Sequence, residues 1–171
     1  MTLYSNGMIL YHGSCVTVEK PNLVLSRKSL DFGAGFYTTV NREQAVAFAQ
    51  KVMTRNDKES QSVSIYNFDE EAAKTSLDIL QFDSPDKDWL DFVHKNRHCT
   101  YIGKQYDLII GPVANDDVYA TLIIYEQGIL NVEQTLEALK IKNLYNQYVF
   151  KTDKALSFLK YTNNVKPEEV S

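Results

Sequence analysis

The segment DFGAGFYTT, residues 31–39, is the most informative part of this sequence. Gly33 and Gly35 allow the backbone to turn tightly or to approach a ligand closely. The aromatic and β-branched residues that follow favour a strand. A third glycine is missing and the two present precede a strand instead of opening a helix, so a Rossmann dinucleotide site is disfavoured. Tyr37 is instead expected on the floor of a cleft, where its ring can stack on a flat heterocycle.

The rest of the chain alternates between strand and helix patterns. Short β-prone runs predict strands at residues 8–12, 36–40, 63–68, 77–82, 106–113 and 145–152. Apolar residues at helical spacing predict helices that follow Asn41, begin at Ser84-Pro85 with the proline in first position, and cover 116–127 and 131–140. Asp153 is expected to cap a last helical turn, and residues 163–171 read as a frayed tail. The sequence therefore predicts one α+β domain over residues 1–171.

A second informative cluster, YHGS at residues 11–14, ends the first predicted strand. The imidazole of His12 can donate to or accept from a ribose hydroxyl, and Gly13 leaves its amide and carbonyl open to a planar carboxamide. Such a pair can hold nicotinamide. Taken by itself, His12 has a purely structural alternative as a histidine bonded at the end of a strand.

Together, YHGS and DFGAGFYTT resemble the ADP-ribosyltransferase superfamily, most clearly its His-Tyr-Glu branch. The order of the blocks YHGS, DFGAGFYTT, YDLIIGPVAND and NQYVFKT is also similar to a bacterial family of uncharacterised proteins placed in that superfamily. The resemblance implies a split mixed β-sheet with flanking helices, and NAD as co-substrate. It also implies that His12 contacts the adenosine-side ribose, that the Gly13 backbone clamps the carboxamide and that Tyr37 stacks on the nicotinamide ring.

The same resemblance implies three further binding residues. Ser14 matches the serine that follows the His-Gly pair, and Gly35 belongs to the Gly-x-Gly-x-Tyr segment. Phe48 lies on the predicted helix at about the place from which a second aromatic ring closes the nicotinamide site. An ordinary core position on that helix is the alternative for Phe48.

The late strand departs from the superfamily pattern. Related transferases carry a glutamate there, whose carboxylate bonds the ribose 2′-hydroxyl and stabilises the oxocarbenium-like state. This chain has Gln147, which can accept the hydrogen bond but supplies no negative charge. A slower or differently directed reaction is therefore expected. Asp116 or Asp117 is the alternative source of a carboxylate, unless both only cap the following helix.

These residues predict an NAD-dependent mono-ADP-ribosyltransferase with Tyr37 and Gln147 as catalytic residues. The acceptor is a protein, a nucleic acid or a small molecule. A toxin or host-conflict effector with an antitoxin or other protein partner fits by analogy alone. Two alternatives stay open: a module that binds NAD or ADP-ribose without turnover, and an RNA 2′-phosphotransferase. The formal net charge of −4 argues against the phosphotransferase, which needs a basic cleft.

Other classes of protein are disfavoured by the composition. Residues 1–13 lack the positive and apolar pattern of a signal peptide, and no apolar run approaches the roughly 18 residues of a membrane span. We therefore expect a soluble, cytoplasmic protein without a membrane partner. Cys15 and Cys99 lack the spacing of a disulfide scaffold or zinc knuckle. His94 and His98 have the i, i+4 spacing of metal ligands, but their sequence neighbours offer no third ligand and no metal site is predicted.

Overall fold

A seven-stranded mixed sheet organises the part of the chain that the computed structural model describes, namely residues 7–24, 30–112, 116–140 and 144–167. Its strands are β1 (Met8–Ser14), β2 (Phe36–Thr39), β3 (Ser62–Phe68), β4 (Ile79–Gln81), β5 (Leu108–Pro112), β6 (Asn146–Phe150) and β7 (Leu159–Val165). The helices in these ranges are α1 (Arg42–Arg55), α2 (Glu70–Ser76), α3 (Lys87–Arg97), α4 (Asp116–Glu126), α5 (Val132–Lys140) and α6 (Asp153–Leu156). The predicted α+β class is confirmed.

The strand order is β4-β5-β6-β2-β1-β3-β7, and only the β4–β5 pair of this sheet is parallel. β1 pairs with β3 along its whole length, and β2 pairs with β6 along its whole length. β1 and β2, in contrast, share the single registered pair Tyr11↔Thr39. The sheet thus has two well-paired halves, and we call the short junction between them the β1–β2 seam.

The two faces of the sheet carry different apolar cores. Because successive side chains of a strand point to opposite faces, the neighbours Phe36 and Tyr37 contribute to different cores. One core, here the helical core, lies under α3, α4 and α5, and Tyr37 packs against it. The opposite face holds the aromatic core, whose members include Leu10, Phe36, Tyr66, Phe68, Tyr148 and Phe150.

Helix α1 covers β1 and β3 on the same face as the helical core. The Asn41 side chain accepts a hydrogen bond of 2.8 Å from the Gln44 amide, which confirms the predicted N-cap. Ala45 and Ala49 are the buried residues of the helix and pack with Val63. The face therefore has α1 over one half of the sheet and α3–α5 over the other, with the β2–β6 pair between them.

Several predicted boundaries are wrong because a neighbouring polar side chain caps the helix instead. Helix α3 begins at Lys87, where Asp86 accepts from the Trp89 amide, so Pro85 precedes the helix. Thr152, not Asp153, caps α6. Helix α2 was not predicted at all, because alanine, glutamate and lysine in a seven-residue helix leave little apolar periodicity.

The C-terminal expectation is also wrong in part. Residues 163–165 belong to β7 and pair with residues 63–65 of β3. Their polar composition does not reveal this pairing, because β7 takes its register from a strand far away in the sequence. None of the helices in the described ranges is long and apolar enough to cross a membrane.

Candidate active site

The fold brings Tyr37 and Gln147 onto the same face of the sheet. In the β2–β6 pair, Tyr37 lies opposite Val149 and Thr39 lies opposite Gln147. Tyr37 and Gln147 are therefore diagonal neighbours, a relation that places Cα atoms about 7–8 Å apart. This surface lies beside the β1–β2 seam, because Thr39 also pairs with Tyr11 of β1.

Gln147 is a buried polar residue with an unused donor. The residue is 6% exposed, and its Nε2 atom has no hydrogen-bond partner among the described residues. Leaving a buried donor unpaired costs on the order of 1–3 kcal/mol, so such groups are rare in native proteins. The unpaired donor makes Gln147 a candidate functional residue.

A polar network lies next to Gln147, at the junction of β2 and α1. The Thr39 hydroxyl donates to the Gln44 Oε1 atom across 2.6 Å and accepts from the Asn41 amide across 3.1 Å. Because Thr39 is the registered partner of Gln147, the start of α1 is held close to the unpaired amide.

The hydroxyl of Tyr37 is fixed by the glycine-containing segment that precedes β2. It donates to the Gly33 carbonyl and accepts from the Phe32 amide at 3.0 Å. Burial raises the pKa of Tyr37 well above its usual range. The phenol is therefore neutral, and its hydroxyl is already hydrogen-bonded within the protein. The half-buried ring, and not the hydroxyl, is left to contact a ligand.

The His12 side chain lies near the β1–β2 seam, on the face of the sheet opposite Tyr37 and Gln147. Its ring stacks on Phe36 with 4.2 Å between centroids, and its Nδ1 atom lies 2.7 Å from the carbonyl oxygen of Tyr37. Because a carbonyl only accepts, Nδ1 carries the proton and Nε2 is left as an acceptor. Burial lowers the pKa of His12 and keeps the ring neutral. The imidazole thus meets the backbone of Tyr37 and not its ring.

The predicted glycines have packing reasons in this structure. A β-carbon at Gly13 would lie 2.0 Å from the Ala45 carbonyl oxygen, so glycine is what allows α1 to rest on β1. A β-carbon at Gly35 would lie 2.7 Å from a methyl group of Val149. Gly13 therefore brings α1 onto β1, and Gly35 makes room for the Val149 side chain beside β2.

The remaining predicted residues lie at different places around this surface. Ser14 ends β1, opposite Ser62 of β3. Phe48 on α1 is 46% exposed, so its alternative reading as a core residue is wrong. Asp116 begins α4, and Asp117 is exposed in the first turn of that helix, where carboxylates favour the helix dipole. The side chain of Asp116 lies outside the described part of the structure.

Comparison with known proteins gives one family. The profile described as Protein of unknown function (DUF3990) matches residues 8–161, from the first residue of β1 into β7. The chain belongs to the DUF3990 family. Neither the curated proteins nor the solved structures contain a match.

This DUF3990 chain also has an open groove of about 390 Å³ near the other end of β2. Gly33, Asn96, Tyr106 and Lys151 are among the residues that line it, whereas Tyr37 and Gln147 are not. The Lys151 ammonium donates to the Phe32 carbonyl across 2.6 Å, and burial lowers the pKa of Lys151 to about 8. Sequence reasoning missed Lys151, whose only signal is its position directly after the buried strand β6.

Proposed function

We propose that this DUF3990 protein is an NAD-dependent mono-ADP-ribosyltransferase. The observation that carries the proposal is the buried, unpaired amide of Gln147, which lies on the same face as Tyr37 and next to the β1–β2 seam. The motifs HGS and GAGFY, which resemble the ADP-ribosyltransferase superfamily, flank the same seam. Sequence resemblance and geometry thus favour one location for the ligand.

The seam supports the finer fold assignment. An ADP-ribosyltransferase-like domain requires a sheet divided into two parts, and here the two halves share one registered pair between β1 and β2. His12 supplies a further connection through the Tyr37 carbonyl. In this proposal His12 is a positioning residue for β2, because its ring lies on the face opposite Tyr37 and Gln147 and reaches β2 through the Tyr37 carbonyl.

The proposed reaction breaks the bond between C1′ of the ribose and the nicotinamide nitrogen. Nicotinamide leaves with the bonding electron pair, and a nucleophile of the acceptor then forms a bond to C1′ and loses its proton to solvent. The Tyr37 ring stacks on nicotinamide, and the exposed ring of Phe48 is suited to close the site from α1. The Gln147 amide bonds the ribose hydroxyl without supplying charge, so the reaction is slower than one assisted by a carboxylate.

A non-catalytic NAD or ADP-ribose module is the second candidate, and the neutral side chain of Gln147 is the observation that favours it. Both candidates need a ligand beside Tyr37 and Gln147. They differ in whether the glycosidic bond is broken, so measuring binding and nicotinamide release on the same sample separates them.

The experiment uses purified protein with NAD, calorimetry for binding and chromatography for released nicotinamide. Tyr37→Ala and Gln147→Ala are compared with Gln50→Ala, which changes an exposed glutamine of α1. Release that is lost in the two site variants and kept in the control supports the transferase. Binding without release supports the module, and absence of both from the unmodified chain contradicts both candidates.

A further inference from the structure

Three metal-ligating side chains meet where helices α3 and α4 end. The Oε1 atom of Glu126 lies 3.8 Å from Nδ1 of His94 and 3.5 Å from Nε2 of His98, and the three atoms lie within 4.8 Å of one another. The two imidazole centroids are 4.6 Å apart. The geometry points to a zinc site, formed by two histidines of α3 and its C-cap together with the last residue of α4.

The spacing suits a tetrahedral ion. Zinc bonds to nitrogen and oxygen at roughly 2.0–2.2 Å, which places neighbouring ligand atoms about 3.3 Å apart. The two separations from Glu126 are only slightly longer, so small side-chain rotations bring the atoms to bonding distance. Two imidazoles and one carboxylate leave a fourth position for water, which is the donor set of an open zinc site.

The Nδ1 atom of His94 provides a second, independent observation. The His94 side chain is 40% exposed as a whole, yet this nitrogen is buried and has no hydrogen-bond partner among the described residues. Buried polar nitrogens are nearly always bonded in native proteins. A cation between His94 and Glu126 supplies the missing partner for the nitrogen lone pair.

Arg97 lies next to the three metal-ligating side chains and holds Glu126 in place by a hydrogen bond. Its guanidinium donates to Glu126 at 3.2 Å and to Asp31 at 3.3 Å, and it stacks over the Tyr119 ring. Asp31 balances the charge of Arg97, so the charge of Glu126 remains for the ion. Arg97 donates to the same Oε1 atom that lies nearest the two imidazoles, so zinc binding requires the carboxylate to turn its second oxygen toward them while Arg97 keeps the first. Outer partners that orient metal ligands commonly act in this way.

The sequence alone could not indicate this site. His94 and His98 show helical spacing, but the third ligand comes from a different helix, and only the packing of α4 against α3 brings Glu126 to them. Sequence reasoning expected no metal for that reason, and the zinc site replaces that expectation as our proposal. It is independent of the proposed transferase activity, since neither imidazole belongs to the β1–β2 seam.

The test is a titration of the chelator-treated, purified full chain with Zn²⁺ by calorimetry, and with Co²⁺ by visible absorption. We expect one equivalent to bind and Co²⁺ to give the absorption of a four-coordinate ion. His98→Gln and Glu126→Gln should each weaken binding by about 100-fold or more, since even outer partners contribute roughly 10–100-fold. Glu133→Gln, an exposed carboxylate of α5, serves as the control and should leave binding unchanged.

Circular dichroism of every variant shows whether it is folded. His98 is the main variant because its side chain is about half exposed and tolerates substitution. Absence of binding to the unmodified chain, or equal binding by His98→Gln, would overturn the zinc site and leave the histidines as polar neighbours of Glu126. Nicotinamide release is not part of this readout, so either proposal can fail without the other.

Discussion

The Nδ1 atom of His12 donates to the carbonyl oxygen of Tyr37 across 2.7 Å, which links β1 to β2 where the two strands share one registered pair. At this junction a side-chain hydrogen bond connects the two strands, as backbone hydrogen bonds do elsewhere in the sheet. The bond also connects the two motifs that carry the resemblance, because the carbonyl belongs to the residue whose ring is proposed to stack on nicotinamide.

Replacing His12 with phenylalanine should weaken the seam. His12→Phe keeps a ring that can stack on Phe36 but removes the donor to the Tyr37 carbonyl. We expect the free energy of unfolding to fall by about 1 kcal/mol, the usual value of one hydrogen bond, as measured by urea denaturation. His12→Asn, which keeps a donor near the same position, should lose less. Equal stability of His12→Phe and the unmodified chain would show that the bond does not support the fold.

The stabilising effect of His12 should depend on pH. Burial lowers the pKa of His12 in the folded protein, so the unfolded chain binds a proton at this residue more readily. The contribution of His12 to the free energy of unfolding is therefore present above the unfolded pKa of about 6.5, and it is lost as pH falls toward the lower pKa of the folded state. The difference in unfolding free energy between the unmodified chain and His12→Phe should shrink between pH 7 and pH 5. A difference that stays constant over that range contradicts the lowered pKa.

Removing the Tyr37 hydroxyl should affect stability more than ligand binding. Tyr37→Phe leaves the Phe32 amide without its acceptor in the buried segment before β2, so a loss of about 1–3 kcal/mol is expected in urea denaturation. The ring remains, so NAD affinity should fall much less than in Tyr37→Ala. Tyr145→Phe, at a half-exposed tyrosine, is the control and should change neither quantity. An equal loss of NAD affinity in Tyr37→Phe and Tyr37→Ala would contradict a stacking role for the ring.

A carboxylate at residue 147 should accelerate nicotinamide release. Gln147→Glu adds the negative charge that stabilises a developing oxocarbenium ion, and we expect at least about a tenfold increase in the rate of release. Gln50→Glu makes the same change at an exposed position of α1 and should have no effect. Release that is identical in Gln147→Glu and the unmodified chain, with both folded by circular dichroism, would remove residue 147 from the ribose site.

Lys151 should react with acylating reagents at lower pH than other lysines. Burial lowers its pKa to about 8, whereas the hydrogen bond to Asp78 raises the pKa of the exposed Lys104. Labelling of Lys151, followed by mass spectrometry of peptides, should reach half its maximal rate near pH 8, well before labelling of Lys104. The lowered pKa also means that the free energy of unfolding rises between about pH 8 and pH 10. Over that range the folded chain has released the Lys151 proton, whereas the unfolded chain still holds it. Parallel labelling curves for the two lysines contradict the prediction.

Local patterns in the sequence were sufficient for much of the fold. Asn41 and Gln44 correctly marked the start of α1, and the β-prone runs around Leu10 and Val149 correctly marked two strands. Each of these elements depends on residues close together in the chain, which is why composition and spacing reveal them. The predicted start of α3 was wrong because the Asp86 side chain, and not Pro85, defines the beginning of the helix. Strand β7 was not predicted because it is formed by pairing with β3, which is distant in the sequence.

The sequence by itself determined which residue types are available: an imidazole at His12, a phenol at Tyr37, and an amide in place of a carboxylate at Gln147. Only the tertiary structure decided which of them meet. The register of β2 against β6 puts Tyr37 and Gln147 on one face, and alternation along β1 turns the ring of His12 to the other. Side-chain direction in a sheet depends on pairing between distant strands, which no local pattern encodes.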